Sequence, residues 1–68
     1  MIQGTITRFN ARRGVGFVRH ARSEHALPFS TRNAQGSDFS GGDTVQFDVR
    51  GGKAGIAAHN VRLIRANS

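Results

Sequence analysis

The chain has no cysteine, no tryptophan and no tyrosine, and it has a single proline. Without cysteine it can form neither a disulfide nor a thiolate metal site, so its fold must rest on packing alone. The absence of cysteine also agrees with a reducing compartment. A length of 68 residues suffices for one domain, which buries only about 60% of the surface of the unfolded chain. We therefore expect a single small domain over residues 1–68.

Long apolar runs are absent as well. No segment approaches the roughly 20 apolar residues that a membrane-spanning helix needs. Residues 1–5 do not combine a basic segment with an apolar stretch, as a secretory leader would. We expect a soluble, cytoplasmic protein with no membrane partner.

Catalytic and metal-binding arrangements are also missing from the sequence. The three histidines lie on different segments, without the spacing of metal ligands: His20, His25 and His59. The four acidic residues form no recognisable catalytic pair: Glu24, Asp38, Asp43 and Asp48. We therefore expect a protein that is not an enzyme and that needs neither a metal nor a cofactor.

Basic residues, in contrast, are abundant. Ten lysines and arginines face four acidic residues, which gives a net charge of +6. Nine of the ten are arginines: Arg8, Arg12, Arg13, Arg19, Arg22, Arg32, Arg50, Arg62 and Arg65. This excess favours a polyanionic partner through counterion release, and the planar guanidinium adds stacking and forked phosphate contacts. The plainer interpretation is a soluble basic domain whose arginines reflect a GC-rich genome.

The pattern along the chain predicts short strands separated by glycine turns. Alternation of apolar and polar residues predicts five of them, over residues 2–10, 15–20, 25–30, 44–50 and 55–64. A basic turn is predicted at 12–14 and a glycine hairpin turn at 51–53, with a frayed tail at 65–68. No helical period continues for eleven residues. The fold class indicated is all-β, a five-stranded antiparallel barrel of the OB-fold type.

The strand phases predict which side chains share a face. Three groups are expected to lie together: Ile2, Gly4 and Ile6; Val15 and Phe17; and Val45, Phe47 and Val49. In the first strand, the opposite face is predicted to carry Thr5, Thr7 and Phe9. In the last strand, Ile56, Ala58 and Asn60 are predicted on one face and Ala57, His59 and Val61 on the other. Pro28 indicates an edge strand, and Phe39 is predicted to anchor the irregular segment 31–43 in the core.

The run Arg13-Gly14-Val15-Gly16-Phe17-Val18 carries the main functional signal. Its glycines leave space beside a projecting aromatic ring, and arginines flank it. This combination suits a stacking platform for nucleic-acid bases with a basic rim.

These residues resemble the cold-shock domain family, whose first strand typically reads Gly-x-Val-Lys-Trp-Phe-Asn, followed by Lys-Gly-Phe-Gly-Phe-Ile. The matching positions are Gly4, Ile6, Phe9, Asn10, Gly14, Gly16, Phe17 and Val18. The later segments 42–47 and 55–61 are similar to the family's fourth and closing strands. The resemblance covers nearly the whole chain and implies an OB-fold that binds single-stranded RNA or DNA, as an RNA chaperone does.

The chain departs from the family where the family binds. Arg8 stands for its Trp, Val15 for the leading Phe of the first ribonucleoprotein motif, and Ala26 and Pro28 for the central Phe and His of the second. A loop aromatic is missing near residues 36 and 37. We therefore expect weaker and more electrostatic binding. The predicted nucleic-acid-binding residues are Arg8, Phe9, Arg12, Arg13, Phe17, Arg19 and Phe29.

An alternative stays open. The domain could be an OB-fold that has lost nucleic-acid binding and serves as a protein-interaction or oligomerisation module. We expect the chain to be either a monomer or a strand-exchanged dimer. Among the five phenylalanines, Phe17 is the best stacking candidate, Phe9 fits the core or the surface, and Phe29 is predicted on the surface. Phe39 and Phe47 are predicted in the core.

Overall fold

The computed structural model of the chain describes residues 2–36, 38–53 and 55–66. The described residues form six strands: β1 Ile2–Asn10, β2 Val15–His20, β3 Ala26–Ser30, β4 Ala34–Gln35, β5 Thr44–Gly52 and β6 Gly55–Arg65. A 3₁₀ turn, Thr31–Asn33, joins β3 to β4. The all-β class and the five predicted strands are confirmed, and the two-residue β4 is an addition. Within these ranges no helix is long and apolar enough to cross a membrane.

The strands form one sheet in the order β3-β2-β1-β5-β6-β4. Neighbouring strands are antiparallel, except that β4 runs parallel to β6. The sheet curls so that its edge strand β3 packs against β6. In the described part of the chain no ladder of hydrogen bonds joins β3 to β6, so the barrel is open at this seam. Pro28 lies in the edge strand as predicted, and edge strands are where a sheet tolerates proline.

The core lies inside the curled sheet. Its buried apolar members are Ile6, Val18, Phe29, Phe39, Val45, Phe47, Ala58 and Val61. An aromatic cluster fills one end: the rings of Phe9 and Phe29 stack with centroids 6.0 Å apart, and Phe39 meets both edge-on at 5.6 Å. Such aromatic pairs contribute roughly 0.5–1.5 kcal/mol each beyond the burial of their area. The core position predicted for Phe39 is confirmed.

A bulge in β1 changes the phase of that strand. Ile6 lies opposite Val18 and Arg8 lies opposite Phe17, so Thr7 is an extra residue in the ladder. Gly4 and Ile6 point inward as predicted. Beyond Thr7 the alternation inverts, which turns Phe9 toward the core cluster. The prediction that Phe9 shares a face with Thr5 and Thr7 is therefore wrong.

A second bulge lies in β6. Gln46 opposes Arg62 and Asp48 opposes His59, so β6 has one residue more than β5 in this interval. Asn60 has φ 54°, a left-handed conformation that asparagine adopts more readily than most residues. Ala58 and Val61 are both buried as a result. The predicted alternation, which put them on opposite faces, is wrong here.

The hairpin of β5 and β6 is longer than predicted. Strand β5 continues to Gly52, so Gly51 and Gly52, which were predicted in the turn, belong to the strand, and β6 begins at Gly55. Residue 54 lies outside the described ranges. Among the described residues, β1 pairs with β5 only as far as Phe47, and β1 does not extend beside the outer hairpin. Val49 is consequently 43% exposed rather than packed with Val45 and Phe47.

Two other predicted boundaries shift by one residue. Strand β3 begins at Ala26, so His25 precedes it. The backbone N–H of His25 donates a hydrogen bond to Ser23 Oγ at 3.0 Å. Arg65, predicted in the frayed tail, belongs to β6 and lies opposite Thr44. Residues 67 and 68 of that tail lie outside the described residues.

Candidate nucleic-acid interface

The outer face of β1, β2 and β3 carries rows of side chains that cross the three strands. Arg8, Phe17 and Pro28 lie directly opposite one another in register and form the central row. Residues directly opposite in an antiparallel sheet share a face, with Cβ atoms about 4.5–5.5 Å apart. Two more rows flank it on this face: Asn10, Val15 and Ser30, and Thr5, Arg19 and Ala26.

Phe17 stands at the centre of this face, and its side chain is 43% exposed. It separates two adjoining grooves that share Val15, Gly16 and Phe17. The first, an apolar groove of about 290 Å³, is lined in addition by Pro28, Phe29, Ser30, Asn33, Ala57 and Ala58. The second, a basic groove of about 480 Å³, is lined in addition by Arg8, Phe9, Asn10 and Arg13. The exposed position predicted for Phe17 is thus what the structure shows.

Gly16 makes this arrangement possible because its inner face is crowded. It lies between Phe9 and Phe29 in register, and a Cβ atom there would come within 3.0 Å of both rings. It would also meet the Arg8 carbonyl oxygen at 2.5 Å. A side chain at residue 16 would therefore push apart the packing beneath Phe17.

The same inward row fixes the positions of two predicted site residues. Phe29 is only 4% exposed, so the surface position predicted for it is wrong, and its ring faces are covered by the core. Phe29 lies directly opposite the inward-facing Gly16, so its side chain also points into the core. Phe9 is half-buried, packs on the core and presents part of its surface to the basic groove.

The basic turn between β1 and β2 is shaped by the Asn10 side chain. Its Oδ1 accepts hydrogen bonds from the backbone N–H of Arg12 at 3.1 Å and of Arg13 at 3.3 Å. Asparagine favours such turns because its short side chain reproduces a backbone turn. Gly14 closes the turn with φ 68°, and its carbonyl accepts from the Thr31 N–H at 2.8 Å. Asn10 thereby holds the two arginines beside the basic groove.

Asn10→Ala removes this acceptor and is expected to destabilise the domain by about 1 kcal/mol, the usual net value of such hydrogen bonds. Urea unfolding followed by circular dichroism measures the loss. Asn10→Asp is the matched control, because it keeps an acceptor oxygen at the same position. An equal loss in both variants would contradict the role assigned to Oδ1.

Arg8 and Arg19 lie on this face beside Phe17, and Arg12 and Arg13 lie in the turn between β1 and β2. Arg8 and Arg13 line the basic groove, Arg12 is exposed in the turn, and Arg19 is exposed in the row beyond Phe17. Within the described residues none of these four guanidinium groups has a carboxylate partner. Unpaired arginines clustered in this way are available to an anionic ligand.

Sequence reasoning missed other parts of the surface. The residues Ser30, Asn33 and Ala57 of the apolar groove come from segments that only the tertiary fold brings together. A third groove, of about 290 Å³, is lined by Arg32, Asn33, Ala34, Arg50, His59 and Asn60. Alternation in the sequence did place Val15 on the same face as Phe17, but Val15 was not among the predicted binding residues.

The remaining titratable residues form no site for a metal. Across residues 2–36, 38–53 and 55–66 no group of three histidine, aspartate or glutamate side chains is placed to hold an ion. His20 Nδ1 accepts a hydrogen bond from the Arg22 N–H at 3.0 Å, and Asp43 Oδ2 accepts one from the Ser40 N–H at 2.9 Å. These contacts organise turns.

Comparison with protein families matches residues 2–64 to the family described as the 'Cold-shock' DNA-binding domain. A comparison with curated proteins gives no match. The family consists of nucleic-acid-binding domains with an OB-fold, in agreement with the sheet described above and with the order of the matching motifs. Because the match covers almost the whole sequence, the chain belongs to the cold-shock DNA-binding domain family.

Proposed function

We propose that this cold-shock domain binds single-stranded RNA or DNA by stacking bases on Phe17 and by contacting phosphates with the surrounding arginines. The observation that carries the proposal is the exposed Phe17 ring between an apolar and an arginine-lined groove. A base stacked on an aromatic ring contributes about 1–3 kcal/mol whatever its identity. The site therefore favours unpaired bases of any sequence.

The arginines supply the second part of the affinity. Arg8 lies opposite Phe17, so its guanidinium plane is placed to stack on the neighbouring base. Arg13 lines the groove beside the ring, Arg19 lies in the next row of this face, and Arg12 is exposed in the adjoining turn. From these positions the three arginines would contact the backbone phosphates. Phosphate contacts do not read sequence, and their contribution falls as salt rises.

Binding is proposed to be weaker than in typical members of the family. Arg8, Val15, Ala26 and Pro28 all lie on the outer face, at positions where the family places aromatic or histidine side chains. At about 1–3 kcal/mol for each lost stack, several kcal/mol disappear, or two or more decades of affinity. The corresponding cellular role is that of an RNA chaperone that keeps transcripts single-stranded, which the family resemblance supports.

The test is the fluorescence anisotropy of a dye-labelled pyrimidine heptamer, titrated with protein over a series of salt concentrations. The label is needed because the protein has no tryptophan or tyrosine. If two to four arginines contact phosphates, log affinity should fall against log salt with a slope of about −1.4 to −2.8, at roughly −0.7 for each contact. Absence of binding at low salt would overturn the proposal.

A second function is favoured by one observation. The outer hairpin exposes two apolar side chains, Val49 at 43% and Ile56 at 58%, and β3 is an open sheet edge. Such surfaces suit contact with another protein or exchange of strands between two chains. A protein that ignores the heptamer, and whose molar mass rises with concentration in light scattering, would be an interaction module.

A further inference from the structure

The third groove lies beyond the surface assigned above to bases. Its two charged walls come from different elements, Arg32 from the 3₁₀ turn and Arg50 from the outer hairpin, and both side chains are exposed. Asn33 and Asn60 add amide groups, and His59 adds an imidazole. No lining residue is acidic. The nearest carboxylate along the hairpin is Asp48, which is half-buried opposite His59.

This groove adjoins the apolar groove beside Phe17. Asn33 lines both of them. Ala57, in the apolar groove, lies directly opposite Arg50 across the hairpin. A ligand that leaves the face of Phe17 along the apolar groove therefore arrives between Arg32 and Arg50.

Asn60 is held in place by two features of the fold. Its left-handed conformation forms the bulge in β6, and its Oδ1 accepts a hydrogen bond from Gln35 Nε2 at 3.2 Å. Because that oxygen is engaged, the amide nitrogen is the part of the side chain suited to a ligand, and it is a donor. The groove thus combines guanidinium and amide donors, the groups that bind phosphate oxygens.

We propose that the groove of Arg32, Arg50 and Asn60 binds a phosphate of the strand whose bases stack on Phe17. The inference rests on the proposed function and extends it by a phosphate subsite. Two guanidinium groups in one concave space raise the local positive potential, which a phosphate neutralises. The subsite would lengthen the strand that one domain engages.

The test compares three variants that each lose one positive charge: Arg32→Gln, Arg50→Gln and the matched control Arg65→Gln. Arg65 lies opposite Thr44, at the other end of the hairpin, about 20 Å from Arg50 at roughly 3.3 Å per residue. For the labelled heptamer, loss of Arg32 or Arg50 should weaken binding by about tenfold and reduce the steepness of the salt slope by about 0.7. Loss of Arg65 should change affinity less than twofold.

A pyrimidine trimer, which is long enough for Phe17 but not for the third groove, separates the subsite from the stacking site. Arg50→Gln should leave its affinity unchanged, whereas Phe17→Ala should weaken both oligonucleotides. If only the heptamer is sensitive to Arg50→Gln, the subsite binds a phosphate that the trimer lacks. If Arg50→Gln weakens the trimer as much as the heptamer, Arg50 acts at the stacking site and the separate subsite is overturned.

Equal losses in all three charge variants would overturn the subsite, since they would show long-range attraction alone. If Arg50→Gln weakens the heptamer while Phe17→Ala changes nothing, the subsite stands and the stacking proposal fails. A wild-type protein that binds neither oligonucleotide overturns both. Circular dichroism spectra of the variants check that each is folded.

Discussion

Replacing Phe47 by alanine is expected to lower the free energy of unfolding by about 3–5 kcal/mol. The Phe47 ring is 0% exposed, and it lies on β5 opposite Ile2 of β1, in the middle of the sheet. Truncation of a buried phenylalanine costs about 3–5 kcal/mol, because it removes buried area and leaves a cavity. A chain of this length has a total stability of roughly 3–10 kcal/mol. The substitution therefore removes a third of that stability or more.

Urea unfolding followed by circular dichroism measures this loss. Val49→Ala is the control, because Val49 lies two residues along the same strand but is 43% exposed. Its truncation should cost less than about 1 kcal/mol. A Phe47 variant that unfolds at nearly the wild-type urea concentration would show that the sheet does not depend on this ring.

The strands themselves could be predicted because alternation is a local property. The bounds of β1 and β2 agree with the predicted segments, and Val15 and Phe17 share the outer face as expected. The prediction failed at bulges, where an extra residue inverts the phase. The positions of the two bulges, at Thr7 in β1 and at Asn60 in β6, depend on the register of each strand with its partner. Alternation within one strand carries no such information.

The candidate site was predictable to the extent that it lies on one hairpin. The motif around Gly16 and Phe17 is contiguous in the sequence, and its glycines and flanking arginines indicate the stacking face directly. Phe29 was placed wrongly because its phase follows from pairing with β2, which its own short strand does not reveal. Arg32 and Arg50 line one groove only because β3 and the turn that follows it pack against β6. No spacing in the sequence predicts that these two residues line the same groove.

Phe17→Ala is expected to weaken binding of the single-stranded heptamer by about fivefold to more than a hundredfold. The structure describes all five phenylalanines, and Phe17 is the exposed one. No other phenylalanine ring is therefore as accessible to a base. The range corresponds to the 1–3 kcal/mol that a base gains by stacking on an aromatic ring. Phe17 bears no charge, so the slope of log affinity against log salt should stay the same. This combination separates stacking from the contribution of the arginines.

Two further variants make this result specific to the ring. Phe17→Leu keeps an apolar side chain of similar reach but removes the aromatic face, so it should lose most of what alanine loses. Val49→Ala removes an equally exposed apolar side chain, 43% in both cases, from a surface outside the three grooves, and should bind like the wild type. If Phe17→Leu retains wild-type affinity, the contact at this position is simple burial of apolar area. Base recognition would then have to rest on Arg8 and the half-buried Phe9 in the basic groove.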